Sequence, residues 1–343
     1  MTKQASILIV HTGGTIGMVK DQKTNALAPI HFDNLFETVP TLKMFEHKLD
    51  FFAFKKLIDS SNVDTNFWKE LANVIEVNYD KYDGFVILHG TDTMSYSASM
   101  LSFMLENNSK PIIFTGSQLP LGIIRSDGRE NFVNAIELAA ARHPNGEAVV
   151  PEVSLLFENK LFRGNRTYKF SAENFNAFFS GNYPPLASVG VNIKYNNEYI
   201  SKWNKQSLKV HKNLCTDVAV LKIFPGITKN VVDSVINTPN LKGLIIETYG
   251  SGNAPTHDWF ISSLERAINK GVIVLNVSQC RVGAVVMGKY ETSVQLSDIG
   301  VVGGNDITLE SAVTKLMFLL GQDLTHEEIV NQLNTSIRGE ITV

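Results

Sequence analysis

Short, wholly apolar runs alternate with segments of helical period along most of this chain, and no other feature restricts its fold as much. The runs lie at 7–10, Gly84–Leu88, 111–115 and Val153–Phe157. Between them, 97–105 reads as a largely buried helix, and 128–141 repeats Phe132, Ala135, Ile136 and Ala139 at helical spacing. Strands apolar on both faces, separated by helices, predict a mostly parallel sheet covered on both sides. The pattern breaks at 180–213, which is rich in Asn, Lys, Tyr and Gly-Pro punctuation and reads as a surface hairpin and a linker. It then restarts with strands at 218–223, 244–248 and 272–277 and helices at 228–235, 257–269 and Leu309–Leu320. The expected fold is two-domain α/β. A larger N-terminal domain spans 1–185, a linker 186–211, and a smaller Rossmann-like α/β domain 212–343.

A chain of 343 residues fits two domains. Its charge is −3 and its basic residues are scattered, so nucleic acid is not an expected ligand. No apolar stretch approaches the ~20 residues of a membrane span, and the N-terminal apolar run is too short for a secretory leader. Cys215 and Cys280 stand apart and the eight histidines show no ligand spacing, so a reducing cytoplasmic setting without metal or cofactor is expected.

The first apolar run leads into HTGGTIGMVK, 11–20. A dinucleotide fingerprint needs G-x-G-x-x-G, and Gly13, Gly14 and Gly17 do not supply it; nor does a lysine stand where a Walker A loop needs one. What remains is a strand end that delivers hydroxyls, Thr12 and Thr15, to the edge where open α/β sheets place ligands. Taken alone, a glycine turn with capping hydroxyls is the plainer reading. Three other loops join it. HGTDTM follows the strand Gly84–Leu88 and sets Thr91 beside Asp92, although Asp92 or Thr93 also suits a helix N-cap. Asp59-Ser60-Ser61-Asn62 follows the run 51–58 and alone reads as a capping turn. RGNRTYK, 163–169, carries Arg163, Arg166 and Lys169, which alone read as solvated cations. A threonine hydroxyl is a weak nucleophile that needs a base, and a desolvated lysine near Thr91 suits that role.

Together these loops make the chain resemble the bacterial-type L-asparaginases, most nearly the type I, cytoplasmic branch. TGGTIGM at 12–18, FVILHGTDTM at 85–94, LSFMLEN at 101–107, RSDGREN at 125–131, LFRGNRTYK at 161–169, GSGNAP at 250–255 and RGE at 338–340 carry the likeness, in order, over nearly the whole chain. The resemblance implies hydrolysis of the asparagine side-chain amide through a threonine acyl-enzyme. Thr15 matches the nucleophile, Thr91, Asp92 and Lys169 the second catalytic group, and Asp59, Ser60, Ser61, Thr91 and Asp92 the substrate-holding residues. Backbone N–H groups at Thr91 would stabilise the oxyanion. It also implies a homotetramer built as a dimer of dimers, with active sites at subunit interfaces and Asn253 reaching into a neighbour's site.

Two departures stand out. The lid segment 18–29 has Leu27 near the place where many relatives carry a tyrosine; Tyr290 in the small domain matches an alternative tyrosine and is assigned as the partner of Thr15. Glu247-Thr248-Tyr249-Gly250 lacks the arginine that some type I relatives use at an activating site, which predicts hyperbolic kinetics. Two rivals differ in kind. An amidotransferase subunit of the same superfamily would normally carry an extra domain before TGGT, and a non-catalytic small-ligand or nucleotide binder would not need Lys169 or would show a phosphate fingerprint.

Overall fold

The computed structural model describes residues 4–20, 27–29, 37, 39–288 and 291–342. The chain divides into two units, Met1–His211 and Lys212–Val343.

The first unit is built on an eight-stranded sheet. Its strands are β1 (Ser6–Gly13), β2 (Lys48–Ile58), β3 (Gly84–Leu88), β4 (Ile112–Thr115), β5 (Val153–Phe157), β6 (Lys160–Arg163), β7 (Ala187–Ser188) and β8 (Lys194–Tyr195), in the spatial order β8-β7-β6-β5-β4-β3-β1-β2. The five strands from β5 to β2 are parallel, and β6, β7 and β8 add antiparallel pairs. Helices α1 (Thr65–Asn78), α2 (Met94–Met104) and α3 (Gly128–Ala140) cover it. Successive residues of a strand face opposite sides. Ile7, Ile9, Val86, Leu88 and Ile113 form one core with Phe132, Ala135 and Ile136 of α3. Their alternates Leu8, Val10, Phe85, Ile87 and Phe114 are equally buried, and Tyr79 at the end of α1 stacks on Phe85. Both faces are therefore dry, which is why these strands read as continuous apolar runs rather than as alternation.

Two differences from the sequence reading bear on the site. Segment 186–211 is not a spacer. Leu186 is fully buried, β7 and β8 extend the sheet, and Lys209–Val210 pairs with Leu105–Glu106. Met18–Lys20 and Leu27–Pro29 form an antiparallel pair, so the described ends of the expected lid are a hairpin stem, while 21–26 lie outside the described residues. Helix α2 starts at Met94, directly after the 89–93 loop, where an N-cap at Thr93 places it.

The second unit holds a four-stranded parallel sheet, β9 (Val218–Lys222), β10 (Gly243–Thr248), β11 (Ile273–Ser278) and β12 (Val302–Gly303), paired in chain order. Helices α4 (Lys229–Ile236) and α5 (Asp258–Asn269) pack Val232, Ile236, Phe260 and Leu264 against Leu244, Ile246 and Val274. Helix α6 (Glu291–Asp298) precedes β12. Helix α7 (Leu309–Leu320) comes so close to β10 that a Cβ on Gly243 would sit 2.7 Å from Leu316 Cδ2. Helix α8 (His326–Leu333) opens with a capping box between Thr325 and Glu328.

Candidate active site

Parallel register brings the candidate loops of the first unit to one edge. His11 pairs with Leu88, Leu88 with Thr115, and Gly13 with Ile58, so residues 12–17, 89–92, 116–118 and 59–61 all leave the carboxyl ends of adjacent strands. That edge is where open α/β sheets form their ligand crevice.

The first loop lies wedged between the ends of β2 and β3. Gly13 has φ +132°, and a Cβ there would sit 2.1 Å from the Ile58 carbonyl oxygen. Gly14 has φ +82°, and its Cβ would sit 2.4 Å from the Gly90 nitrogen. Only glycine permits both the dihedral and the approach. Thr12 donates to the Leu88 carbonyl at 2.9 Å and is buried, so its hydroxyl serves the fold. Thr15 begins a short 3-10 turn, Thr15–Gly17, and is half-buried.

Lys169 is the hub of the second group. Its Nζ donates to Thr91 Oγ1 at 2.8 Å and to Asp92 Oδ1 at 2.7 Å. Its side chain is 19% exposed, whereas that of Asp92 is 63% exposed. The lysine arrives on Tyr168–Lys169, paired with Phe178–Phe179, after the 3-10 turn Gly164–Arg166. That turn packs on α2 through Gly164, and Thr167 Oγ1 bonds Ser95 Oγ at 3.1 Å. The two neighbouring arginines are buried rather than solvated. Arg163 forms an ion pair with Glu152 at 2.6 Å, and both Arg163 and Arg166 lie over the Tyr183 ring.

Thr93 is the N-cap residue of α2, but neither it nor Asp92 makes a side-chain capping bond. Asp92 is engaged by Lys169, and Thr93, at the N-cap position, turns its hydroxyl to the Ser60 carbonyl at 2.7 Å. That bond ties the 59–61 loop to the 91 loop, and buried Ser60 lies where a Cβ on Gly90 would be 2.5 Å from its Oγ. Asp59 does act as a cap: Oδ1 accepts from Ser61 N at 2.9 Å and from Ser61 Oγ at 2.8 Å. These bonds, the backbone one first, hold its carboxyl below the usual carboxylate range.

Behind the threonines sit two histidines that burial pushes down to about 4, so both are neutral. His89 links the site to the helices. Trp68 Nε1 donates to Ser97 Oγ at 2.9 Å, Ser97 Oγ lies 2.9 Å from His89 Nε2, and His89 Nδ1 lies 2.6 Å from the Gly90 carbonyl. Since Gly90 O can only accept, Nδ1 carries the proton and Nε2 accepts from Ser97. The Gly90–Thr91 peptide is thereby held in one orientation, its N–H opposed to a carbonyl that faces inward.

Gln118, which the sequence reading passed over, also belongs to this group: its Oε1 lies 3.4 Å from Thr91 Oγ1. A glutamine after a buried strand carries no signature of its own; only its place at a strand end, like that of Thr91, singles it out.

Asn253 belongs to the second unit, in the turn after β10. Tyr249 and Asn253 form an antiparallel bridge, and fully buried Asn276 braces the turn by donating to the Gly252 carbonyl at 3.1 Å. Glu247 is buried at the end of β10, 3.9 Å from Lys222 Nζ. Tyr290 lies outside the described residues. Among the described residues no cluster of His, Cys, Asp or Glu is arranged to hold a metal.

Comparison with known proteins follows the same two-unit division. Residues 6–201 match the family model described as "Asparaginase, N-terminal" and 217–333 that of "Glutaminase/Asparaginase C-terminal domain". The chain is 42% identical to L-asparaginase 1 of Escherichia coli K12, over 99% of each chain. It is 38% identical to the 60 kDa lysophospholipase of Mus musculus, where it spans 64% of the longer protein. Among solved structures, L-asparaginase I from Vibrio cholerae superimposes with a TM-score of 0.90 at 39% identity, over 99% of this chain and all of that one.

Proposed function

The chain belongs to the asparaginase family, and from that premise we propose that it is an L-asparagine amidohydrolase acting through an acyl-enzyme on Thr15. The L-asparaginase activity rests on full-length likeness to L-asparaginase 1. The reading of the residues rests on one observation above the others, the 2.7–2.8 Å contacts from Lys169 Nζ to Thr91 Oγ1 and Asp92 Oδ1.

In this reading Thr15 Oγ adds to the side-chain amide carbon as its proton leaves. The C–N bond then breaks, ammonia departs with the proton it needs, and an aspartyl ester remains on Thr15. Water, deprotonated through Thr91 and Lys169, attacks that ester and releases aspartate, returning the threonine hydroxyl. Oxyanion stabilisation falls to backbone N–H groups at the Thr91 turn, which the His89 bond keeps pre-aimed. Asp59 and Asp92 each keep a second carboxylate oxygen for the substrate ammonium, and Ser60 supplies a donor for its α-carboxylate, joined by Ser61 when its hydroxyl turns from Asp59 to the substrate.

Tyr290 is assigned as the partner of Thr15 and Asn253 as a substrate contact from a neighbouring subunit, within a homotetramer built as a dimer of dimers. Mixing Thr15→Ala with Asn253→Ala subunits tests that arrangement: shared sites regain part of the activity that each variant lacks alone, and independent sites do not. Two free cysteines support a cytoplasmic setting, and no helix among the described residues is long and apolar enough to cross a membrane.

Ammonia release from asparagine and glutamine by the wild type, Thr15→Ala and Lys169→Met tests the reading. Loss of turnover in both variants is expected. Near wild-type turnover in Thr15→Ala would remove the nucleophile assignment, and no amide hydrolysis by the wild type would favour a binding protein.

A further inference from the structure

The geometry points to Gln118 as a positioning residue that sets the direction of the Thr91 hydroxyl, held in place by Asp127. This rests on the reading of Thr91 and Lys169 as the relay.

Asp127 occupies the N-cap position of α3, where an aspartate ordinarily accepts from the first-turn N–H groups of its own helix. Here it makes no such bond. The carboxylate instead accepts from Gln118 N at 3.0 and 3.1 Å and from Leu119 N at 3.1 Å, with Asn131 Nδ2 at 3.3 Å, while Ser126 Oγ takes the Gly128 N–H. The helix forgoes its usual cap and the loop after β4 gains a fixed anchor. Asn131 adds a second tie, donating to the Gly116 carbonyl at 2.9 Å. The loop also lies close to Thr91, for a Cβ on Gly116 would stand 3.5 Å from the Thr91 methyl.

The anchored loop leaves Gln118 no choice of amide orientation. Its Nε2 donates to the Asn174 carbonyl at 3.1 Å, a group that can only accept, so Oε1 must face Thr91 Oγ1. An amide oxygen accepts, so the Thr91 hydroxyl donates to it. A hydroxyl has one proton and two lone pairs. With the proton directed to Gln118 and one lone pair taken by Lys169, the second lone pair of Thr91 is left to accept a hydrogen bond from the attacking water or from Thr15, which aims that oxygen before its proton is lost. Without Gln118 the hydroxyl rotates, and that lone pair is aimed only part of the time.

The test compares asparagine kinetics and thermal melting of Gln118→Met, which keeps the reach but cannot accept, and Gln118→Glu, which keeps an acceptor oxygen, with Lys169→Met alongside. Loss of one neutral hydrogen bond predicts that Gln118→Met lowers kcat by about three- to tenfold with KM within about twofold. Gln118→Glu recovers most of that loss, and neither variant shifts the melting temperature by more than about 2 °C. Unchanged kcat in Gln118→Met beside an inactive Lys169→Met overturns the role of Gln118 and leaves the relay standing. Equal losses in Met and Glu variants overturn it too, since the acceptor oxygen then does not matter. Wild-type turnover in Lys169→Met removes the relay reading and this inference with it.

Discussion

The approach of Gly14 to Gly90 sets how the Thr15 and Thr91 loops stand to one another, and Gly14→Ala perturbs it with a single methyl. Gly14 has φ +82° and ψ 168°, a region open essentially to glycine alone, where another residue costs about 1–3 kcal/mol. The added Cβ would lie 2.4 Å from Gly90 N, 2.5 Å from Gly90 Cα and 2.8 Å from the His89 carbonyl carbon. All three are backbone atoms of a buried strand end, so no side chain can swing away, and overpacking adds about 1–3 kcal/mol. A rigid site would therefore absorb roughly 2–6 kcal/mol. Part of that is relieved if the two loops separate by about 1 Å, a displacement that costs on the order of 100-fold in rate. Gly14→Ala is expected to lower kcat/KM for asparagine by about 100-fold or more while the melting temperature falls by no more than about 10 °C. Gly146→Ala is the control: Gly146 has a similar φ of +86° but nothing within 4 Å of a Cβ, so activity stays intact. A Gly14→Ala enzyme with kcat/KM within threefold of wild type would refute the claim that this contact registers the two threonines.

The neutral histidines make stability depend on pH. His11 and His89 sit at about 4 in the fold and near 6.5 when unfolded, so the unfolded chain binds more protons between those values. Their stabilisation is complete above about pH 6.5 and is lost as pH falls toward 4, up to about 3 kcal/mol each; urea melts that coincide at pH 7 and pH 5 would contradict this. In the second unit, fully buried Lys315 is paired with Glu340 and also donates to the Leu333 and Thr335 carbonyls. Lys315→Met strands the carboxylate and should cost about 3–5 kcal/mol in denaturant melts; a loss below 1 kcal/mol would show that the pair is dispensable. Glu247 replaces the arginine expected at an activating site, so the rate should rise hyperbolically with asparagine, and a steeply sigmoidal curve would refute that expectation.

The runs at Gly84–Leu88 and Val153–Phe157 were readable because burial on both sheet faces removes the need for alternation. Edge strand β2 is legible only in part, as the run 51–58, since Phe52, Ala53, Lys55 and Lys56 are exposed and blur its pattern. Helix α1 carries a helical signature of its own, with Phe67, Leu71, Val74 and Ile75 at helical spacing and Asp64 as its cap. β7 and β8 are two residues each, too short to carry any period, and so 186–211 resembled a linker. At the site, chemistry visible in residue types was legible, as with the contact of Lys169 to Thr91 and Asp92. Partnership was not. Arg163 and Arg166 read as solvated until Glu152 and Tyr183 come into view, and nothing local to 125–131 shows that the Asp127 carboxylate holds another loop. Local sequence reports what a side chain offers; long-range packing decides what accepts it.

The most direct measurement is rapid acid quench of enzyme turning over asparagine, followed by peptide mass mapping, in the wild type and in Lys169→Met. The account predicts an aspartyl adduct on the peptide that carries Thr15, accumulating further when Lys169 no longer assists deacylation. An adduct on Thr91 instead, or none on Thr15 while Thr15→Ala still releases ammonia at the wild-type rate, would contradict it.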